Sequence, residues 1–355
     1  MTRILIKNGR VWTGGAFCNS DILTEGKQII KIVPEIDEPA DYTFYANGKM
    51  VLPGLVDLHV HMKGVTSDAF GINAEMSSLP FGVTAVNDAG SVYCSKEILD
   101  YMAVKSTVFV GVEIKQGNFQ VADLENRLKK YGNRVIGLKV YFDTTTGDVY
   151  DINPLKEVCK FARAKKMKVM VHCSNSPTSM KEMIETLSEG DIVTHAFHGG
   201  VHSCAEDDFG CLRLAKKRGI IVDAGFAGYV HTDFKNLEKA IKMGCLPDTI
   251  STDITRVSAY IRGGRYGMTM CMSMVRRLGM KEEDIVRAVT ETPAMVLGKS
   301  DEWGFLQEGR CADIAVLDYT DESFCLQDKA GNKLEGSKGY RCVLTISDGQ
   351  IVYRD

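Results

Sequence analysis

The chain has 355 residues, of which 45% are hydrophobic and 25% are charged. These fractions are typical of a folded globular protein and exclude an intrinsically disordered chain. The 43 Lys and Arg residues nearly balance the 46 Asp and Glu residues, and no block of basic residues stands out, so we expect no nucleic-acid partner. No apolar run approaches the roughly 18 residues of a membrane span, and the first residues lack the apolar core of a signal peptide. We therefore predict a cytoplasmic protein with no membrane partner.

The 11 cysteines are scattered singly along the chain, and no C-x-x-C pair occurs. Their odd number prevents them from all pairing within one chain, and their spacing fits neither a disulfide framework nor a thiolate zinc site. We interpret most of them as small buried side chains of a reduced protein.

The first predicted elements are β-strands. Short apolar runs at 3–11, 20–33 and 43–52 are separated by Asn-Gly and Glu-Gly turn signals, a pattern typical of antiparallel hairpins.

From Pro53 to about Trp303 the sequence alternates between apolar runs of five to eight residues and longer amphipathic stretches. We predict eight strands at 55–61, 83–88, 107–114, 135–142, 168–173, 192–197, 220–224 and 249–254. Eight strands, each followed by a helix, over roughly 250 residues are typical of a (β/α)8 TIM barrel, and continuous apolar runs suit strands that are buried on both faces. A doubly wound sheet is the alternative, because sequence alone does not give strand order.

Several helices of this region have recognisable ends. A glycine follows the predicted last turn at Gly132, Gly219, Gly244 and Gly279. Ser176 and Pro177 together fit the N-cap and first position of another helix.

The chain ends as it begins, with predicted strands at 312–318, 324–327 and 342–353, the last interrupted by an Asp-Gly turn. We therefore predict a small β-sandwich domain formed discontinuously by residues 1–52 and 304–355, beside a barrel at 53–303.

Unusual polar residues lie near the carboxyl ends of the predicted barrel strands, where barrel enzymes place their chemistry. They are His59, His61, Lys139, His172, His195 and Asp253. His59 and His61 are two residues apart, so both side chains lie on one face of their strand and can bind one metal. Taken singly, each histidine could be a hydrogen-bonded core residue, and Asp253 could be an N-cap.

Lys139 lies within the apolar run at 135–142. A buried, unpaired ammonium is costly, so such a lysine loses its proton or finds a partner. The neutral amine can react with carbon dioxide to give a carbamate, an anionic ligand that can bridge two cations. The alternative is a lysine whose end reaches water at the barrel mouth.

Residues 53–61 (PGLVDLHVH) resemble the PGxxDxHxH signature of the amidohydrolase superfamily, and 304–318 (GFLQEGRCADIAVLD) resembles a conserved tail segment of the same superfamily. The resemblance implies a binuclear metal site. His59, His61 and Asp253 would hold one cation, His172 and His195 would hold the other, and carboxylated Lys139 would bridge them. Two divalent cations are therefore expected, and imidazole and carboxylate ligands suit Zn²⁺ best, with manganese or iron as alternatives.

The resemblance also implies a mechanism. Two cations that share a water lower its pKa from about 15.7 toward roughly 7, which supplies hydroxide at neutral pH. Asp253 would accept the water proton as general base and deliver it to the leaving nitrogen as general acid.

Residues 190–200 and 246–253 resemble a deacetylase subgroup that hydrolyses N-acetyl amino acids or O-acetylated hydroxy acids. We therefore expect a small-molecule substrate that carries a carboxylate. A cyclic-amide hydrolase of the dihydroorotase or hydantoinase type is the alternative. Against it, dihydroorotases carry Arg two residues after the second histidine, where this chain has Lys63, and Lys does not replace the two-pronged guanidinium. A deaminase and a non-catalytic scaffold are less consistent with all six site residues being present.

Further candidates for substrate contact lie just beyond strand ends, where loops line the mouth. They are Lys63, Tyr141, His198 and Arg256. The subgroup has a Gly-His-Gly turn after strand 7, which this chain replaces with 224–228 (AGFAG). The roles of Cys94, His202 and His231 stay open, and the resemblance implies a homo-oligomer.

Overall fold

A computed structural model describes residues 1–62, 70–90, 96–261 and 266–355. The strands are β1 (Arg3–Trp12), β2 (Phe17–Glu25), β3 (Gln28–Val33), β4 (Tyr42–Tyr45), β5 (Met50–Pro53), β6 (Leu55–Val60), β7 (Val83–Ala89), β8 (Lys105–Gly111), β9 (Ile114–Lys115), β10 (Asn118–Phe119), β11 (Val135–Tyr141), β12 (Lys168–His172), β13 (Ile192–Thr194), β14 (Ile221–Asp223), β15 (Ile314–Thr320), β16 (Phe324–Gln327), β17 (Lys333–Gly336), β18 (Gly339–Ser347) and β19 (Gln350–Arg354). The helices are α1 (Ala74–Ser78), α2 (Lys96–Tyr101), α3 (Val121–Tyr131), α4 (Asn153–Ala164), α5 (Met180–Thr186), α6 (Gly210–Lys217), α7 (Phe234–Lys242), α8 (Met268–Arg277), α9 (Glu282–Val289) and α10 (Glu291–Val296).

A parallel seven-stranded sheet forms the larger part of the molecule. Its strands follow one another in chain order from β6 through β7, β8, β11, β12 and β13 to β14. Every residue of β6 and β7 is buried, as expected for strands covered on both faces. A helix follows each strand before the next one begins, which is the predicted β/α alternation.

The sheet closes into a barrel through segment 249–254. Thr249 bridges Asp223 at the end of β14, and Ile254 bridges Val60 at the end of β6, so the segment joins the two edges. This closure confirms the predicted (β/α)8 barrel and excludes the open, doubly wound sheet.

The prediction of a regular eighth strand at 249–254 is wrong. Among the described residues the segment forms no ladder. It makes isolated bridges to β6 and β14 and single backbone hydrogen bonds beside them, such as that from the N–H of Asp253 to the carbonyl of His59. Asp253 has a left-handed backbone, with φ of 47°, which breaks a ladder. The backbone N–H of Thr252 donates to the side-chain carboxylate of Asp57 at 3.1 Å instead of to a backbone carbonyl of the neighbouring strand.

The predicted helix ends are confirmed at the four glycines. Each follows the last turn of a helix with positive φ, which is the usual glycine stop. The φ values are 55° at Gly132, 67° at Gly219, 75° at Gly244 and 103° at Gly279.

The predicted cap at Ser176 is wrong. Helix α5 begins three residues beyond Pro177, and the hydroxyl of Ser179 caps it by accepting from the N–H of Glu182 at 3.2 Å. The Ser176 hydroxyl is used in a local turn, where it donates to the carbonyl of Thr178 at 2.7 Å.

Both ends of the chain form a separate eight-stranded sheet, in the order β19, β18, β15, β5, β1, β2 and β3, with β4 beside β1. The two ends share one buried apolar cluster, which confirms a β structure built from both termini. Its members include Ile4, Ile6, Val11, Ile22, Ile314, Val316, Leu344 and Ile346. The division into 1–52 plus 304–355 and 53–303 stays a prediction.

Six of the ten cysteines in the described ranges are buried, which agrees with their interpretation as packing residues. In those same ranges, no helix combines the length and the apolar character needed to cross a bilayer.

A hairpin of β16 and β17 runs beside the barrel. Near one end, Arg277 at the last turn of α8 donates to the carbonyl of Glu335 at 2.7 Å. At the other end, the carboxylate of Asp328 accepts from the N–H of Phe234, the first residue of α7, at 2.9 Å. Barrel helices begin on the side where the strands end, so the hairpin turn reaches the mouth of the barrel.

The first prediction concerns this contact. Asp328 is buried and also accepts from the N–H of Asn332 at 2.8 Å, so Asp328→Ala leaves two backbone donors without their acceptor. We expect the free energy of unfolding to fall by about 1–2 kcal/mol, as for loss of a helix cap. Urea unfolding measures this, with Asp321→Ala on the exposed part of the same tail as the control, expected within about 0.5 kcal/mol of the unaltered protein. Equal losses in both variants would contradict the prediction.

Candidate metal centre

His59, His61 and Asp253 form a buried cluster at the mouth of the barrel. His59 lies in β6 and His61 directly follows it, so both rings lie on one face. The backbone N–H of Asp253 donates to the carbonyl of His59 at 2.7 Å. This contact brings Asp253 Oδ1 to 3.2 Å from His59 Nε2 and 2.8 Å from His61 Nε2. One ligand atom from each residue lies within 4.8 Å of the others.

The donor set of this cluster fits a cation. Asp253 Oδ1 is buried and forms no hydrogen bond with the described residues, although two imidazole nitrogens lie close to it. An oxygen and two nitrogens that converge without hydrogen-bond geometry are arranged as ligands around a metal ion.

The protonation states also suit ligands. Burial lowers the pKa of His59 to about 4, so its ring is neutral at pH 7. Burial acts to raise the pKa of Asp253, but the nearby His59 and His61 outweigh it and hold the pKa well below its usual range. A neutral imidazole and an ionised carboxylate are the forms that bind metals.

A chain of hydroxyl groups sets the orientation of the His59 ring. The hydroxyl of Thr194 donates to Asp223 Oδ2 at 2.7 Å and has a single proton, so it accepts from His59 Nδ1 at 2.9 Å. His59 therefore carries its proton on Nδ1, and Nε2 presents a lone pair to the cluster. Thr249 and Ser251 also donate to Asp223, each at 2.7 Å, and hold its carboxylate in place.

Asp57 fixes the relative position of β6 and segment 249–254. Its carboxylate accepts from the hydroxyl of Thr252 at 2.6 Å and from the N–H of His59 at 3.3 Å. Burial raises the pKa of Asp57 to about 7. Asp57 thus holds Asp253, the neighbour of Thr252, against His59 and His61.

Lys139 lies in β11 and is completely buried. Its Nζ contacts His59 Nε2 at 3.1 Å and Met170 Sδ at 3.8 Å. Burial lowers the pKa of Lys139 to about 8, although the charges of Asp253 and Asp223 act in the opposite direction. A substantial fraction of the amine is therefore neutral near pH 7 to 8.

A second cluster contains His172, His195 and His231. The ring centroids are 4.5 Å apart for His172 and His195, 4.9 Å for His172 and His231, and 4.3 Å for His195 and His231. The hydroxyl of Ser174 lies 2.7 Å from His172 Nε2 and 2.9 Å from His231 Nδ1. The two clusters meet where His195 Nε2 lies 3.8 Å from Asp253 Oδ2.

The backbone around His195 turns its ring into the site. His195 has φ of 67°, a left-handed conformation, and its Nδ1 donates to the carbonyl of Gly225 at 2.5 Å. Residue 225 must be glycine, because φ is 53° and a Cβ would lie 2.7 Å from His195 Nδ1. His195 Nε2 is thereby left to face Asp253.

The structure brings together all six residues predicted as ligands, although their roles stay a prediction. Tyr141, a predicted substrate contact, lies nearby, with its ring centroid 6.3 Å from that of His172. His198 is buried beside the site, and its Nδ1 accepts from the N–H of Gly200 at 3.1 Å. Arg256 is exposed.

Other candidates are not placed at the site. Lys63 and Cys94 lie outside the described residues. His202 is partly exposed at the surface, where its Nδ1 lies 3.5 Å from a carboxylate oxygen of Glu206.

Sequence reasoning missed Thr194, Asp223 and the position of His231. Asp223 carried a usable signal, because it ends β14 as the predicted ligands end their strands. His231 had no such signal, since it lies in the loop between β14 and α7 and loop geometry does not follow from strand pattern.

A third group, Cys311, Asp313 and Asp348, lies between the barrel and the terminal sheet. The ammonium of Lys105 contacts Asp313 at 2.6 Å and Asp348 at 2.7 Å. A lysine already occupies the position of a cation here, so the group is an ion pair and not a metal site.

The chain is similar to known proteins over most of its length. The sequence model of the Amidohydrolase family matches residues 50–352. A deacetylase of Agrobacterium fabrum is 29% identical over 343 residues, which cover 90% of this chain and 83% of the relative. The crystal structure of a dihydroorotase is 25% identical in sequence and has a TM-score of 0.87. The match covers all of this chain and 98% of the dihydroorotase chain. The crystal structure of an adenine deaminase, 23% identical with full coverage of both chains, has a TM-score of 0.86.

The second prediction tests the hydroxyl chain. Thr194→Val keeps the shape of the side chain but removes the group that holds the proton of His59 on Nδ1. We expect the affinity of the purified protein for its more tightly bound cation to fall about 10- to 100-fold. Competition with a chelator measures this affinity. Thr290→Val is the control, because that buried hydroxyl donates only to the backbone of α9 at Val286. If both variants bind as tightly as the unaltered protein, the hydroxyl chain does not support the metal.

Proposed function

The chain belongs to the amidohydrolase family of metal-dependent hydrolases, and from this premise we propose that it hydrolyses the acyl bond of a small N-acyl amino acid or acetylated hydroxy acid at a two-cation site. It is an enzyme that acts on carbon–nitrogen bonds of a small-molecule substrate. The observation that carries the proposal is the unbroken set of contacts from His61 through Asp253, His59 and Lys139, and from Asp253 to His195 and His172.

His59, His61 and Asp253 would hold one cation, and His172 and His195 would hold a second. When bound, such cations polarise a substrate carbonyl and lower the pKa of a bound water to about 7. We propose Zn²⁺, because imidazole nitrogen and carboxylate oxygen are its common protein ligands and because burial keeps the pKa of His172 and of His195 well below the usual range.

Lys139 would link the two halves of the site as a carbamate. No carboxylate among the described residues lies within ion-pair distance of its Nζ, so the more distant charges of Asp253 and Asp223 do not offset the effect of burial on the amine. The neutral amine attacks carbon dioxide, a nitrogen–carbon bond forms, and one amine proton is released to solvent. The product is a carbamate with a negative charge on its oxygens, and it could act as a ligand to two cations.

Asp253 would move the proton. Its carboxylate is ionised and lies between both clusters, at 2.8 Å from His61 Nε2 and 3.8 Å from His195 Nε2. It can therefore accept the proton of the attacking water and return it to the departing nitrogen or oxygen. The left-handed backbone of Asp253 and its hydrogen bond to His59 hold the carboxylate in this position.

The choice of substrate rests on the relatives, because the fold is shared by enzymes of different activity. The Agrobacterium relative is named a deacetylase, and this supports an acyl group as the part that is removed. The similar dihydroorotase structure keeps a cyclic amide as the second candidate. We further propose that the substrate carries a carboxylate, contacted by Lys63, Tyr141, His198 or Arg256, and that the enzyme is a homo-oligomer.

The proposed reaction can be tested with a panel of N-acetyl-D- and L-amino acids, acetylated hydroxy acids, hydantoins and dihydroorotate. We expect acetate release from at least one acetylated compound. Turnover of hydantoins or dihydroorotate alone would replace the proposal with the cyclic-amide alternative.

The third prediction concerns Asp253. Asp253→Asn keeps an oxygen that can bind metal but removes the base, so we expect the cation content to persist while kcat falls about 10²- to 10⁴-fold. Metal analysis and steady-state kinetics on the same preparation separate the two effects. An unchanged kcat would remove Asp253 as the group that moves the proton.

The fourth prediction concerns the carbamate. Protein equilibrated with ¹³C-bicarbonate should show a carbamate carbon signal in its NMR spectrum, and Lys139→Met should abolish the signal and reduce the bound cations from two to one. Lys168→Met is the matched control, because this partly buried lysine on the adjacent β12 contacts the carbonyl of Val296 away from the site. A signal that persists without the Lys139 amine would contradict the bridging role.

A further inference from the structure

We propose that His231 is a third imidazole ligand of the cation held by His172 and His195, so that this half of the centre is a three-histidine site. The inference rests on the proposed two-cation function. It goes beyond it, because the ligand set implied by the sequence contains only His172 and His195 here, together with Lys139.

The geometry supports a shared centre for the three rings. Their ligand nitrogens lie within 4.8 Å of one another. Two of these nitrogens face the same atom, Ser174 Oγ, which lies 2.7 Å from His172 Nε2 and 2.9 Å from His231 Nδ1. His195 directs Nε2 inward, because its Nδ1 is bound to the carbonyl of Gly225. Three nitrogens therefore point toward one region from three different strand ends and loops.

The loop that carries His231 is fixed on both sides of this residue. Before it, Ala227 and Tyr229 have left-handed backbones with φ of 49° and 77°. The ring of Tyr229 packs against Tyr266, with centroids 5.4 Å apart. Backbone strain of this kind is retained where the surroundings hold it, and it concentrates at functional sites.

After His231, the N–H of Asp233 donates to the carbonyl of Phe197 at 2.9 Å. The N–H of Phe234 is held by Asp328 of the tail hairpin at 2.9 Å. The imidazole is therefore positioned from both sides, as a ligand must be.

The chemistry of the cluster also favours a cation. Among the described residues the cluster consists of three imidazoles and has no carboxylate of its own. Because these ligands are neutral, the number of ligands and not their charge would determine how tightly the cluster binds a metal ion. Three protein ligands with further positions open are the usual pattern of a catalytic zinc site. Lacking the third imidazole, the pair His172 and His195 would depend on Lys139 alone for a further ligand.

The decisive experiment uses cobalt substitution. The full-length protein is stripped of metal, loaded with two equivalents of Co²⁺, and compared with His231→Cys. A thiolate bound to Co²⁺ gives a charge-transfer band in the near ultraviolet, so this band should appear in His231→Cys. The matched control is His202→Cys, because His202 lies at the surface, and the band should be absent there.

A second variant measures affinity. We expect the affinity of His231→Gln for the more weakly bound cation to fall at least 10- to 100-fold, roughly the loss caused by changes to residues that only support a ligand. The affinity for the other cation should not change. His202→Gln should bind both cations as the unaltered protein does. No charge-transfer band in a correctly folded His231→Cys, together with two unchanged affinities in His231→Gln, would overturn the inference.

The result also separates this inference from the function on which it rests. One bound cation in the unaltered protein would overturn the two-cation proposal itself, and the three-histidine site with it. Two cations in the unaltered protein, unchanged by His231→Gln while KM for the substrate rises, would leave the function intact and make His231 a substrate contact.

Discussion

A single hydrogen bond, from the backbone N–H of Asp253 to the carbonyl of His59 at 2.7 Å, joins the closure of the fold to the construction of the site. It lies where segment 249–254 completes the barrel against β6. The same bond places the carboxylate of Asp253 against His59 of that strand and against His61, which directly follows it. The segment cannot make a regular ladder and also aim Asp253 into the barrel, because the required φ of 47° interrupts the strand. Asp57 and its hydrogen bonds to Thr252 stabilise this irregular closure. The irregular eighth strand is therefore a consequence of the position that Asp253 takes in the site.

This explains how far the sequence could predict the molecule. Seven barrel strands follow from apolar runs because burial on both faces leaves a direct mark on composition. The histidines at strand ends follow from the same pattern, since parallel strands bring their carboxyl ends together. The prediction of a regular eighth strand failed because the apolar pattern does not show that one residue adopts a left-handed backbone. The prediction of an N-cap at Ser176 failed because a serine hydroxyl can form a hydrogen bond within a turn as readily as at the start of a helix. His231 was out of reach, since its position depends on contacts of a loop with distant parts of the chain.

Those contacts give the terminal sheet a part in the site. The β16–β17 hairpin extends from the C-terminal half of that sheet along α8, and its turn holds the first residue of α7 through Asp328. Helix α7 begins three residues after His231. The hairpin thus contacts the first residue of the helix that follows the His231 loop. The C-terminal tail, which packs with the N-terminal strands, therefore reaches the mouth of the barrel through the contact of Asp328 with Phe234.

Burial supplies the chemistry that the residue types alone would not. Loss of water lowers the pKa of Lys139 to about 8 and that of His59 to about 4, and it holds those of His172 and His195 well below their usual range. Asp253 lies in the same buried space, where burial acts to raise its pKa, yet the combined effect of the neighbouring His59 and His61 outweighs burial and holds the pKa well below its usual range. One environment therefore prepares neutral imidazoles, an ionised carboxylate and an amine able to lose its proton. A lysine exposed at the surface would remain an ammonium. The interior of the barrel selects the protonation states that a metal centre requires.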